Sequence, residues 1–368
     1  MDRGDAIGEV TRGLVAVIPR AVIPPPAPLR LDLDSDALVH NWRWLAAQSG
    51  RAACGAAVKA DGYGLGARAV VERLAAAGCR DFFVATWPEA LALGPIPAGA
   101  NLAVLHGVRD EDMNAALSSP ARPVLNTATQ VARWKSSGRP CDVMIDTGMN
   151  RLGLSPEQAR SGLLDGLEID TLMSHLACAD EPESSMNEAQ LFIFRGLRGA
   201  IPAKRYSLAN SAGICLGQRY AFSLTRPGLA LYGGIPRAEA LGNIRPVVRV
   251  ETQVLQIRDV PKGATIGYGA TFEAPRRMRV AVLNLGYADG YLRVFAGNGS
   301  ARFDNTPCPV LGRVSMDLIA VDLGGVHNIA EGDWLEIDYD LPSASAATGL
   351  SQYELLTGLG HRYQRRWS

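Results

Sequence analysis

This chain of 368 residues predicts an α/β architecture in two parts: an N-terminal (β/α)8 TIM-type barrel, then a C-terminal, mainly antiparallel β domain. Three observations carry that expectation. The length leaves room for a barrel with an appendage. Between about residues 30 and 235, eight short apolar runs alternate with amphipathic segments. After residue 240 the alternation falls to period two, and no strong helical period appears until the last twenty residues. The expected division is an extension over 1–27, a barrel over 28–240 and a β domain over 241–368. An open, doubly wound sheet is the alternative for the first half.

The extension is expected because the segment GLVAVIPRAVIPPPAP is stiffened by prolines and interrupted by Arg20, while Asp2, Asp5 and Glu9 spoil the basic start of a signal peptide. The eight strand candidates are 54–59, 82–86, 102–107, 123–126, 142–147, 170–176, 206–210 and 229–233. Each is short and apolar enough for a strand buried on both faces. Between them, 65–78 and 186–201 read as helices; Leu191, Phe194 and Leu197 fall on one face of the second. In 245–257, Val248, Val250, Thr252 and Val254 share one side. Further strand-like runs follow at 278–285, 308–323 and 333–339.

Lys and Arg together number 37, balanced by 37 Asp and Glu. A neutral chain lacks the basic footprint of a nucleic-acid binder. No uninterrupted apolar run approaches the length of a membrane span, so a cytoplasmic protein is expected. Cys54, Cys79, Cys141, Cys178, Cys215 and Cys308 form no C-x-x-C pair and have no histidine at metal-ligand spacing, so no metal is expected. Cys54 and Cys141 read as small buried hydrophobes. Only four lysines occur, Lys59, Lys135, Lys204 and Lys262. Arginine does not serve as an amine nucleophile, so Schiff-base chemistry has few candidates.

Lys59 stands out among them. It ends an apolar strand candidate and precedes ADGYGLG, whose glycines let backbone approach a ligand. In a (β/α)8 barrel the reacting groups lie at the strands' C-terminal ends. Burial there disfavours an ammonium and lowers its pKa, as imine formation or base catalysis requires. The other three lysines sit among polar neighbours and read as solvated surface.

The run VKADGYGLG resembles the pyridoxal phosphate attachment site of alanine racemases. Seven further blocks resemble that family in the same order: DTGMNRLG (146–153), SHLACADE (174–181), LANSAG (208–213), TRPGLALYGG (225–234), IGYGATF (266–272), LGYADGYLR (285–293) and GRVSMDL (312–318). The resemblance implies pyridoxal phosphate held covalently by Lys59. Its phosphate would be held by Tyr63, Ser211 and the backbone at Gly228 and Leu229. Arg226 would face the pyridine nitrogen, where a permanent cation disfavours ring protonation. His175 would support Arg226. The implied reaction interconverts L- and D-alanine for peptidoglycan, with a serine or broad-specificity racemase as the alternative. Lys59 would be one base and Tyr268, from the second subunit of a head-to-tail homodimer, the other. Arg151 and the Met316 backbone would hold the substrate carboxylate, and Asp180, Tyr287, Arg293 and Arg313 would line an access corridor.

The sequence departs from the family pattern at three places. A lysine that many members carry as a carbamate, seven residues before the substrate arginine, is Met144; a bound anion or another side chain is therefore expected near Arg151. The family's histidine after the cofactor tyrosine is Leu65. The closing aromatic that touches the phosphate is matched to Trp367.

Overall fold

The computed structural model describes residues 25–368; most of the expected N-terminal extension lies outside the described residues. Seven parallel strands run in sequence order: Ala56–Ala57, Asp81–Val84, Asn101–Val104, Arg122–Leu125, Cys141–Met144, Ile169–Met173 and Arg205–Ser207. The eighth is Leu224–Thr225, parallel to Ala53–Cys54. It closes the ring through Ser223 N–H to Tyr206 O (3.0 Å), Arg226 N–H to Ala209 O (2.9 Å) and Gly55 N–H to Thr225 O (2.9 Å).

The expected eighth strand at 229–233 is a correction. Leu229–Tyr232 is a 3-10 turn, entered from Gly228 and left through Gly233 at φ 95°. All four of its side chains are buried, so composition alone gives it the character of a buried strand.

Strand periodicity sorts the barrel interior into layers. Phe83, Ala103, Val124, Met144, Met173 and Leu224 form one apolar layer. Two residues farther along five of these strands stand Ala85, Leu105, Asp146, His175 and Arg226, which line a cavity at the C-terminal mouth. Two residues back stand Asp81, Asn101, Arg122, Asp142 and Thr171, a polar floor. There Arg122 bridges Asp142 (3.3 Å) and Asp170 (3.1 Å), and Arg205 bridges Asp81 (2.8 Å) and Asp170 (2.7 Å).

Asp142 is fully buried; Oδ1 accepts from Thr171 N–H at 3.0 Å, while Oδ2 has no hydrogen-bond partner. Burial pushes its carboxyl up to about 6, with Asp170 adding to the shift and Arg122 opposing it. Such a group takes its extra proton only when folded. Its stabilising contribution is complete below the unfolded value near 4 and lost as pH rises through 6. Asp142→Asn is expected to gain on the order of 3 kcal/mol over wild type near pH 8, and much less near pH 5. Equal melting temperatures near pH 8 would refute this.

The second half is an antiparallel barrel built around one long strand, Val248–Val260, in which Val248, Val250, Thr252 and Val254 are buried. Trp334–Ile337, Ser300–Phe303, Thr306–Leu311, Ile319–Asp322 and Met278–Leu283 follow in hydrogen-bonded order. Met278–Leu283 pairs back to Val248–Val260 and closes the ring. Leu29–Leu33, within the span read as barrel, instead lies in this sheet, antiparallel to Val248–Val260 and parallel to Gln364–Trp367. The closing helical expectation is also revised. Two helices, Leu341–Thr348 and Gln352–Thr357, precede a final strand. Among the described residues, no helix is long and apolar enough to cross a membrane.

Candidate active site

A cavity of about 470 Å³ opens at the barrel mouth and is lined by Lys59, Tyr63, Arg151, His175, Ser211, Arg226, Gly228 and Leu229, among others. Eight of the expected site residues therefore meet in one place.

The strand ending at Ala57 passes directly into a turn in which Ala60, Asp61, Gly62 and Tyr63 all have positive φ (51–64°). Left-handed backbone at three non-glycine residues is costly and persists only where surrounding contacts enforce it. Here Glu89 accepts from Ala60 N–H (3.0 Å) and Ala85 N–H (2.7 Å), and Asp61 Oδ1 accepts from Ala67 N–H (2.8 Å). The turn holds Lys59 in the cavity. Burial lowers the Lys59 pKa from the ordinary lysine range, and the cations Arg151 and Arg226 lower it further against Glu89.

Tyr63 stacks on Tyr232 at 4.7 Å between ring centroids and is almost fully buried. Its hydroxyl reaches the backbone at Gly228, where an added Cβ would lie 2.2 Å from that oxygen. Ser211 Oγ accepts from Gly228 N–H (2.9 Å) and Ala230 N–H (3.3 Å). A phenol, a serine hydroxyl and main-chain N–H groups thus converge on one corner, a donor set suited to a phosphate.

Arg226 is buried and donates to Ser207 Oγ and, at 2.6 Å, to the Ser174 carbonyl. Burial lowers its pKa to about 10, so it stays cationic near neutrality. His175 stands past the end of another strand, Ile169–Met173, next to Ser174. Burial, then the nearby Arg226, Arg151 and Lys59, lowers its pKa to about 3, so it is a neutral imidazole. Gln190 Nε2 donates to the His175 carbonyl at 2.9 Å.

Arg151 is carried on a loop wound around Asp146, whose oxygens accept from Gly148 N–H (2.8 Å) and Arg151 N–H (3.0 Å). Those N–H groups outweigh burial and hold the Asp146 carboxyl below its ordinary range. Among the described residues, no carboxylate lies within ion-pair distance of Arg151 or of Lys59. Lys59, Arg151 and Arg226 therefore line the cavity with a surplus of positive charge, which an anionic ligand would balance. Amine, buried guanidinium and phosphate-type donors fit pyridoxal phosphate.

The other expected residues lie elsewhere. Tyr268 is 73% exposed on the second domain, beside Arg313, and does not line the Lys59 cavity of its own chain. Met316 is exposed in an adjoining loop. Tyr287 carries the Arg293 guanidinium 5.1 Å above its ring, and Asp180 is exposed.

Trp367 requires correction. It sits in the strand paired with Leu33, under the Arg73 guanidinium at 4.4 Å, away from the cavity lining. The C-terminal aromatic that does line the cavity is Tyr353, tilted against Tyr63 at 6.3 Å. Tyr353, Tyr232 and Glu89 were not expected at the site. Only Glu89, three residues after the helix-capping Thr86, has a local sequence signature, and that signals a helix start.

Sequence profiles of the alanine racemase N-terminal domain and C-terminal domain match residues 33–236 and 247–367. The chain belongs to the alanine racemase family. It is 42% identical over 354 residues to a catabolic alanine racemase of Agrobacterium fabrum, covering 92% of this chain and 91% of that protein. It is 39% identical over 370 residues to the biosynthetic alanine racemase of the same organism, covering 93% and 94%. The solved alanine racemase of Bartonella henselae, described with covalently bound pyridoxal phosphate, superimposes with a TM-score of 0.86 at 35% identity, covering 94% of this chain and all of that one.

Proposed function

We propose that the chain racemises alanine with two bases, Lys59 and the Tyr268 of a second copy, on opposite sides of a bound pyridoxal phosphate. The observation that carries this is the buried, charge-depressed Lys59 amine beside Arg226, in a cavity with a phosphate-type donor corner. When bound, pyridoxal phosphate supplies an electron-withdrawing ring that acidifies the Cα–H of the amino acid.

The chain's own groups do the remainder. Tyr63, Ser211 and the backbone at Gly228 and Leu229 bind the phosphate. Arg226 would set a fixed positive charge against the ring nitrogen, limiting electron withdrawal and favouring proton exchange over side reactions. Ser207 and the Ser174 carbonyl hold Arg226, and neutral His175 beside it would add support without adding charge. Arg151 and the Met316 N–H bind the substrate carboxylate. Lys59 Nζ moves a proton at one face of Cα and Tyr268 Oη at the other. Asp180, Tyr287, Arg293 and Arg313 would border the approach.

A second copy is needed because Tyr268 and Met316 are exposed and absent from the cavity of their own chain. Head-to-tail pairing of two copies would supply both residues to each site. Their exposure with Leu318, Leu292 and Val294 fits a surface that is covered in a dimer. The product use we propose is D-alanine for peptidoglycan, made in the cytoplasm. Purified protein should convert L-alanine to D-alanine, and its gene should restore growth of a D-alanine auxotroph; failure of the first reaction would sink the reading.

The uncompensated Arg151 also supports a bound anion where Met144 lacks the family's modified lysine. Activity in chloride-free buffer is expected to rise saturably as chloride is added. Strictly flat activity, with no halide density near Arg151, would exclude that ion.

A further inference from the structure

The loop that carries Met316 is anchored in an unusual way. Ser315 closes a tight turn onto Leu318, through Ser315 N–H to Leu318 O at 3.1 Å and Leu318 N–H to Ser315 Oγ at 3.1 Å. This turn is sewn to a second one at 286–290. Tyr287 N–H donates to Ser315 O and Ala288 N–H to Met316 O, each at 3.0 Å. The two backbones touch with no slack, since a Cβ on Gly286 would lie 2.3 Å from the Met316 oxygen. Met316 N–H is left without an acceptor among the described residues, and its side chain is exposed.

One guanidinium grips both turns. Arg362 donates from Nε and Nη2 to the two oxygens of Asp289, at 2.6 and 2.8 Å, and from Nη1 to Asp317 at 2.7 Å. Asp289 is fully buried, and its Oδ2 also accepts from Gly286 N–H at 3.0 Å. Arg362 itself comes from the far end of the chain, between the helix Gln352–Thr357 and the final strand. The planar, five-donor fork is what permits a bidentate grip and a third bond at once; a lysine ammonium lacks that geometry.

We propose that Arg362 is a positioning residue for the substrate carboxylate: by holding Asp289 and Asp317 together it fixes the turn that presents the Met316 N–H. This rests on the assignment of that N–H to the carboxylate made above. The carboxylate is not the reacting centre, so its hold is equal in ground and transition states. Loosening it raises KM and spares kcat.

The test uses the holoenzyme with Asp317→Asn, Arg362→Lys and the double variant. Asp317→Asn breaks the Arg362–Asp317 ion pair while leaving the bidentate grip of Arg362 on buried Asp289 intact, so it reports even if Arg362→Lys folds poorly. KM for alanine is expected to rise roughly 5- to 10-fold, the loss of about one charge-assisted hydrogen bond, with kcat within about twofold. The inhibition constant of propionate, which keeps the carboxylate and methyl but lacks the amine, should rise in parallel. The double variant should be no worse than Arg362→Lys alone, because the link to Asp317 is already lost in that single variant. Arg302→Gln, which breaks a comparable exposed pair with Asp338, should leave both constants unchanged. Unchanged KM in both single variants of a protein that racemises alanine, or a fall in kcat alone, would overturn the role of Arg362. Absence of racemisation in the wild type would instead overturn the reading on which it rests.

Discussion

Lys59→Ala is expected to lower kcat/KM for alanine by at least about 10⁴-fold in both directions. Two losses coincide in this one substitution: the amine that would hold the cofactor covalently, and one of the two bases. No neighbour can substitute. Arg151 and Arg226 carry guanidinium groups, which do not serve as amine nucleophiles, His175 is pulled to about 3 by burial and surrounding cations, and the other lysines are distant surface residues. The variant should still fold, because Lys59 ends no hydrophobic contact and makes no ion pair among the described residues. Spectroscopy separates the two losses. The visible absorption of a lysine-bound cofactor should vanish while the melting temperature stays near that of cofactor-free wild type. Retention of that absorption with full turnover would show that another amine does the chemistry.

Tyr268→Phe is expected to cost about 10²- to 10⁴-fold in racemisation, the usual worth of one acid–base group. Its signature is directional. With one base left, α-hydrogen exchange into deuterated water should persist for one alanine enantiomer and collapse for the other. Because Tyr268 is exposed in its own chain, the substitution should leave monomer stability untouched. Symmetric loss of exchange, or none, would rule out opposed bases.

Much of the site was legible because it depends on strand ends. Once Met173 and Leu224 face the barrel axis, period two delivers His175 and Arg226 to the mouth. Lys59 was legible for a different reason, an apolar run ending at glycine-rich sequence. The eighth strand was not. Leu224–Thr225 is too short to show any period, while the neighbouring Leu229–Tyr232 is buried on all sides and imitates a strand. Tyr353 was hidden because only tertiary packing brings it in. Its helix, Gln352–Thr357, is clasped to the barrel by Gln352, which accepts from Ile235 N–H at 2.8 Å and donates to Ile235 O at 3.0 Å. Trp367 resembles the family's closing aromatic only in being aromatic near the chain's end; its strand partner Leu33 lies far back in sequence.

The strand Leu29–Leu33 has a consequence for biosynthesis. Ribosomes make it early, yet its neighbours Val248–Val260 and Gln364–Trp367 emerge only after the whole barrel has been translated. Until then Leu29, Leu31 and Leu33, all buried in the finished fold, form a sticky, unpaired ribbon on the nascent polypeptide. Closure of the seam along this ribbon therefore has to wait for the final strand, and a charged residue at position 31, buried there in the finished fold, would leave it defective.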